Sequence, residues 1–192
     1  RAVGYPANHP LAIARIAPVM DLCAALGWLP QGYVDSPAAD AATLTRFHDA
    51  AYVAALREAS TLGRVQPWMR ERHGLGTLEN PVFPGLYDRA ALSVGGSILA
   101  ADHVAAGGIA FHAPGGTHHG FRDHASGFCF FNDPVFAILT LLDQGKRVLY
   151  VDLDAHHGDG VEAAFAGDRR VRTISVHEEG RWPFTGLLQD EA

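Results

Sequence analysis

The apolar positions of this chain fall into two rhythms, one suited to helices and one to strands. From Pro10 to Leu26 they keep a helical period with an alanine-rich face, ended by Gly27. Pro18 lies inside that run and is expected to kink or split the helix. Residues 39–59 predict one or two helices around Phe47 and Tyr52. Residues 85–106 predict a longer helix with Gly95 and Gly96 in its middle. A glycine there costs about 1 kcal/mol against alanine, so close helix packing is the expected reason for the pair. Apolar strands are predicted at 108–112, 147–153 and 171–176, with helices at 134–144 and 161–166 between them. This β-α-β-α-β order predicts an α/β chain with a parallel sheet and right-handed crossovers. Residues 61–84 are rich in Gly, Pro and Arg and predict a long irregular loop. Loops of that length in a compact domain are often functional. No repeat, linker or low-complexity tract interrupts the pattern.

Composition narrows the class. The chain has 192 residues, 48% hydrophobic and 19% charged, enough for one sizeable core. A net charge of −6 argues against a nucleic-acid-binding surface. It is compatible with basic substrates such as lysine side chains or polyamines. Cys23 and Cys129 make no disulfide framework, which fits a reducing cytoplasm. No apolar run approaches the ~20 residues of a membrane span, and no signal peptide is visible. Because Arg1 is not preceded by a methionine, the native start is expected to lie elsewhere.

The candidate chemistry is concentrated in three stretches. Tyr150-Val-Asp-Leu-Asp-Ala-His-His-Gly-Asp-Gly160 carries a strand straight into aspartates and histidines. In an extended backbone Asp152, Asp154 and His156 project to one side. Carboxylate and imidazole together suit zinc and other first-row divalent metals, iron(II) included. Gly158 and Gly160 permit a tight turn before the next helix. A strand that ends in such residues is the layout of a catalytic site on an open α/β sheet. Ala113-Pro-Gly-Gly-Thr-His-His-Gly120 brings two adjacent imidazoles, suited to proton transfer near neutrality. Ala125-Ser-Gly-Phe-Cys-Phe-Phe-Asn-Asp-Pro134 supplies aromatics for a narrow apolar tunnel and then a helix start.

In this order the three stretches resemble the zinc-dependent deacetylase family. That arginase-fold group contains histone deacetylases, acetylpolyamine amidohydrolases and acetoin-utilisation deacetylases. Asn8-His-Pro10 with Arg15, Phe47-His-Asp-Ala-Ala-Tyr-Val53 and Glu79-Asn-Pro-Val-Phe83 are similar more weakly. The resemblance implies a three-layer α/β/α fold with a mainly parallel sheet. It also implies a single domain over 1–192, incomplete at its C-terminal end. Family members supply a third metal ligand, an aspartate, and a carbonyl-polarising tyrosine from that missing portion. Neither occurs here in a recognisable motif after Asp159.

By the same resemblance, Asp154 and His156 are zinc ligands, with iron(II) as the other metal this donor set admits. Asp152, a ligand on spacing alone, becomes a partner of His118, and Asp159 a partner of His119. His119 is the general base; His118 tunes charge and protonates the leaving amine. Phe128 and Trp182 wall a substrate channel, Gly127 offers it a carbonyl, and Glu79 is a rim carboxylate. Arg181-Trp-Pro-Phe-Thr-Gly186 departs from the usual proline-glycine pattern at Phe184. Ser175 and Val176, with the backbones of Asp152, Asp154 and His156, match a potassium site.

His48, His103, His112, His124 and His177 are read as surface or packed residues, His157 as structural, and Cys129 as a small buried side chain. The expected activity is removal of an acetyl group from an amine: acetyl-lysine, an acetylpolyamine or a small acetylated metabolite. No nucleic-acid or membrane partner is expected, a homo-oligomer is compatible, and the expected location is the cytoplasm. Two other functions compete. One is an agmatinase-like ureohydrolase on the same fold. The other is a non-catalytic, truncated binding protein.

Overall fold

A computed structural model describes residues 5–7, 9–29 and 33–187. Asn8, part of a motif singled out above, lies outside them. The chain opens with a 3-10 turn, Pro10–Ala12, capped where the ring Nδ1 of His9 accepts the Leu11 N–H. Helix α1 (Ile16–Ala25) follows. Pro18 neither kinks nor splits it, because the helix starts late and places Pro18 in the first turn. Backbone N–H groups there have no helical partner to lose. Helices α2 (Ala41–Leu44) and α3 (Ala50–Leu62) come next, the first capped by the Asp40 carboxylate on the Thr43 N–H. The segment read as a long loop contains α4 (Pro67–His73). Pro67 pre-sets the first turn, and Gly74 ends the helix at φ +65°, a position that disfavours any side chain.

Helix α5 (Leu86–Val104) packs chiefly on α6 (Asp133–Asp143). Strand β1 (Val148–Asp152), helix α7 (Asp159–Phe165) and strand β2 (Val171–Ser175) complete the described elements. The strands are parallel and in register from Val148 opposite Val171 to Asp152 opposite Ser175. The α/β class with a parallel sheet and helical crossover therefore holds. The core lies between the helices and one face of this sheet. Tyr52, Leu56, Phe130, Phe131 and Phe136 fill it, and Val148, Tyr150 and Val171 close it from the sheet side.

The other face of the sheet is bare. Leu149, Val151 and Ile174 point away from the core and stay exposed, as do Leu153 and Val176 just beyond the strands. Helix α1 buries none of its residues. The strand expected at 108–112 forms no ladder among the described residues, and Ile109 is 94% exposed. A strand needs a neighbour to satisfy its backbone, and here no neighbouring strand is described.

The Gly95–Gly96 pair has a reason other than helix packing. A Cβ on Gly95 would sit 1.7 Å from the Pro37 carbonyl oxygen, and one on Gly96 2.3 Å from the ring of His112. The extended segment before α2 and the loop after α5 both lie directly on the helix backbone. Gly95→Ala is therefore expected to destabilise a chain carrying the whole domain by about 3 kcal/mol, the upper end of the ordinary overpacking range. Urea denaturation measures it, and an unchanged midpoint would mean that the Pro37 segment is free to move aside.

Candidate active site

The stretch 152–156 is not an extended strand. Asp152 Oδ1 accepts the Asp154 N–H at 3.0 Å, and Asp154 Oδ1 accepts the His156 N–H at 2.8 Å. These are two consecutive side-chain-closed turns, a local option that Asp offers the backbone in place of a ladder. Alternation therefore fails beyond the end of β1. Asp152 is buried, whereas Asp154 is exposed and His156 half-buried. The second turn also brings Asp154 Oδ1 within 2.9 Å of His156 Nδ1.

Asp152 faces the other histidine loop. His118 Nδ1 lies 2.6 Å from Asp152 Oδ2, and His119 Nδ1 lies 2.7 Å from Asp159 Oδ1. Both imidazoles are buried, with ring centroids 3.9 Å apart. His119 is 6.1 Å from the His156 ring and 4.7 Å from Trp182. The structure thus gathers His118, His119, Asp152, Asp154, Asp159, His156 and Trp182 into one place. Each paired imidazole donates from Nδ1 to a carboxylate, leaving Nε2 to exchange a proton.

Glycine at 158 and 160 makes this approach possible. A Cβ on Gly158 would meet Asp152 Oδ2 at 2.3 Å, and one on Gly160 the His118 carbonyl at 2.5 Å. The histidine loop is held from its other side by the start of α6. Asn132 donates its amide to the carbonyls of His118 and Gly120, at 3.2 and 2.8 Å, while its oxygen caps the Val135 N–H. Asp133 accepts the Thr117 N–H at 2.7 Å, the Thr117 hydroxyl, and the Ser97 hydroxyl from α5.

Burial disfavours charge on His118. The hydrogen bond and charge of Asp152, backed by Asp154 and Asp159, overcome this and hold its pKa above the ordinary imidazole value. Burial likewise pushes Asp152 up, but the bonds from His118, the Tyr150 hydroxyl and the Asp154 N–H prevail and bring it to about 2. The Tyr150 hydroxyl donates to the same Oδ2 at 2.6 Å. Burial, then proximity to Asp152, raises the phenol's own pKa, so Tyr150 stays a neutral donor. Burial also raises Cys129, which removes it as a thiolate nucleophile.

The walls of the site come from two loops under backbone strain. Phe128 and Phe184, at φ +68° and +64°, are the non-glycine residues with positive φ among those described. Each such residue costs about 1–2 kcal/mol. Gly127 is pressed between His119 and Trp182, and its N–H donates to Glu79 Oε1 at 3.1 Å. Glu79 therefore braces this turn through one of its two carboxylate oxygens. Asn80 accepts the Phe128 N–H at 3.0 Å. On the opposite loop Trp182 faces the rings of His119 and His156. Ser175 and Val176 stand at the end of β2. The Val176 N–H donates to the Asp152 carbonyl, and Ser175 Oγ lies 2.9 Å from His177 Nδ1.

Several contributors escaped sequence reasoning. Tyr150 read only as a strand residue, and Asn80 carried no chemical signal of its own. The rings of His157 and His177 meet at a tilt, 4.7 Å apart, and bind Thr185 and the Gly186 carbonyl, which ties the Trp182 loop to the 154–158 turn. His48 is almost wholly buried behind the histidine loop.

Two carboxylate-backed imidazoles thus stand beside an Asp–His pair at the end of a parallel strand on an α/β scaffold. Residues 9–192 match the family described as the histone deacetylase domain, and the chain belongs to that family. The acetoin utilization protein AcuC of Bacillus subtilis is 40% identical over 191 residues, 96% of this chain and 49% of its own length. Histone deacetylase 1 of Homo sapiens is 38% identical over 97% of this chain and 39% of its own length. The crystal structure of a histone deacetylase homolog from Aquifex aeolicus superposes with a TM-score of 0.90 at 36% identity, over 96% of this chain and 51% of that one. The chain thus spans about half the length, or less, of these relatives, and it corresponds to their N-terminal part.

Proposed function

We propose that this chain is the proton-transfer half of a metal-dependent amidohydrolase that removes acetyl groups from acetylated amines. One observation carries the reading: two buried imidazoles, each with Nδ1 on its own carboxylate, stand beside Asp154 and His156. Asp154 Oδ1 and His156 Nδ1 would hold the metal, since a carboxylate and an imidazole converge there at 2.9 Å. Among the described residues no group of three such side chains is arranged to hold an ion. The third ligand is proposed to come from the part of the domain that the relatives have and this chain does not span. Bound there, zinc or iron(II) would lower the pKa of a coordinated water toward ~7 and polarise a carbonyl oxygen.

The chain's own residues divide the proton work. His119, oriented by Asp159 at Nδ1, takes a proton at Nε2. His118, whose charged form Asp152 favours, holds one for the leaving amine. Gly127, Phe128 and Trp182 exclude water and guide an extended alkyl-amine. Acetyl-lysine, an acetylpolyamine and a small acetylated metabolite all suit such a channel. The backbone around Asp152, Ser175 and Val176 is proposed to take potassium. No nucleic-acid or membrane partner and a cytoplasmic setting complete the reading, and a homo-oligomer is compatible with it. Among the described residues no helix is long and apolar enough to cross a membrane. A non-catalytic binding protein is the second reading.

The test is a whole-domain chain and its His156→Ala variant, compared for bound zinc and for turnover of an acetyl-lysine reporter. The variant is expected to lose both. Equal zinc content in the two proteins would refute the ligand assignment. Turnover absent from a zinc-loaded wild type, across reporters of all three substrate classes, would favour the binding protein.

A further inference from the structure

His48 sits in the loop before α3, and its side chain is 1% exposed. It belongs to neither His–Asp couple, yet both ring nitrogens are engaged. Nε2 lies 3.1 Å from the backbone nitrogen of Asn132, an amide that can only donate. Nε2 is therefore the acceptor, which forces the single proton of a neutral ring onto Nδ1. Nδ1 lies 2.9 Å from the Phe121 carbonyl, which can only accept. The two partners thus define one tautomer. A doubly protonated ring would set an N–H against the Asn132 N–H.

Those partners are the two ends of the segment that follows the histidine pair. Phe121 ends the loop carrying His118 and His119. Asn132 starts α6 and binds the carbonyls of His118 and Gly120 through its side chain. The next residue, Asp49, adds a backbone bond to the Arg122 carbonyl at 2.9 Å. The ring is wedged among Phe47, Tyr52, Phe131 and Phe136 and has little room to turn. Burial, the largest influence, depresses its pKa to about 4, with the Phe121 and Arg122 carbonyls pulling the other way. The ring therefore remains neutral over the working range of a deacetylase.

We infer that His48, as the neutral Nδ1–H tautomer, is a positioning residue that fixes the His118–His119 loop through Asn132 and Phe121. The inference deepens the reading in the preceding section and rests on it. His48 touches no reacting atom. It sets the register in which the two imidazoles present Nε2.

Three variants of a whole-domain chain separate this role from plain packing. His48→Phe keeps the aromatic volume and loses both bonds. His48→Gln can place an acceptor near the Nε2 position, and His48→Asn a donor near the Nδ1 position. Zinc content is expected to stay constant, and KM to move little. Misplacing catalytic groups costs about 10²-fold, so kcat is expected to fall by about that factor in His48→Phe. His48→Gln should recover the most, because the Asn132 link leads directly to the histidine loop. Nitrogen-15 NMR of the wild type is expected to show a protonated Nδ1 and a bare Nε2 on His48 at neutral pH. A lowered melting temperature with kcat unchanged in all three variants would overturn the inference, as would the opposite tautomer or a cationic ring. The NMR result stands whether or not the protein turns over an acetylated amine, so failure of the reaction assignment is recognised separately.

Discussion

Replacing His119 by phenylalanine in a whole-domain chain is expected to lower kcat by about 10²–10⁴, the span that a positioned general base supplies. Phenylalanine is the informative choice because the pocket around this ring is tight. Gly127 lies against it, where a Cβ would be 2.4 Å from the ring, and the Trp182 ring meets it edge-on with centroids 4.7 Å apart. An aromatic of similar size keeps those contacts and removes only the two nitrogens. Asp159 then loses its partner at 2.7 Å but keeps the Gly160 N–H. Metal content should hold, since Asp154 and His156 lie on a separate turn closed by its own backbone-to-carboxylate bonds. Steady-state kinetics with metal analysis on the same samples decide the matter. A variant that kept its kcat would remove His119 from the reaction and leave it as packing for the channel wall.

The second large effect concerns residues 1–192 by themselves. They are expected to associate in solution and to show no turnover. Leu149, Val151 and Ile174 form a bare apolar face on the sheet, extended by Leu153 and Val176. Ile109, Phe111 and, on α1, Ile16, Val19 and Leu22 add to the exposed apolar surface. An apolar face on a short parallel sheet with open edges invites pairing with other chains. The relatives carry about as many residues again as this chain spans, or more, which suits a covering for that face. Turnover is expected to fail for a different reason: among the described residues no third group joins Asp154 and His156 to hold an ion, and the family resemblance places the carbonyl-polarising tyrosine in the part this chain does not span. Losing one transition-state donor alone costs about 10²–10³ in rate. Sedimentation velocity, a dye for exposed apolar surface and an acetyl-lysine assay test both halves. A monomeric, cooperatively melting and active 1–192 would overturn the prediction.

The parts of the fold that could be read from the chain are those that local chemistry decides. Helix α6 announces itself through Asn132, Pro134 and Gly145, and it lies within one residue of its expected place. Both strands of the sheet sit inside their apolar runs. What failed depended on partners or on competition between local options. Residues 108–112 have strand chemistry but no described neighbour to pair with. Helix α4 was hidden because Arg and Glu dominate a surface helix, although Pro67 and Gly74 marked its ends. The alternation argument for 152–156 treated aspartate as a side chain on a strand. Here its oxygens close turns instead. The residues of the candidate site were visible as motifs, whereas their braces were not. His48, Asn80 and Tyr150 act across 84, 48 and 2 residues of separation, and only the last is local.

The glycines of the 158–160 turn have a bearing on dynamics. With Gly158 against the Asp152 carboxylate and Gly160 against the His118 carbonyl, the two loops at the floor of the cleft touch backbone to backbone or carboxylate to backbone, with no side chain as a spacer. No hinge fits between them, because any widening breaks a His–Asp pair at the same moment. The floor must travel as one rigid block on the ends of β1 and α7. Breathing at the mouth of the site therefore falls to segment 181–187. It meets the block through the Thr185–His157 bond and the edge of Trp182, contacts that can part and re-form one at a time.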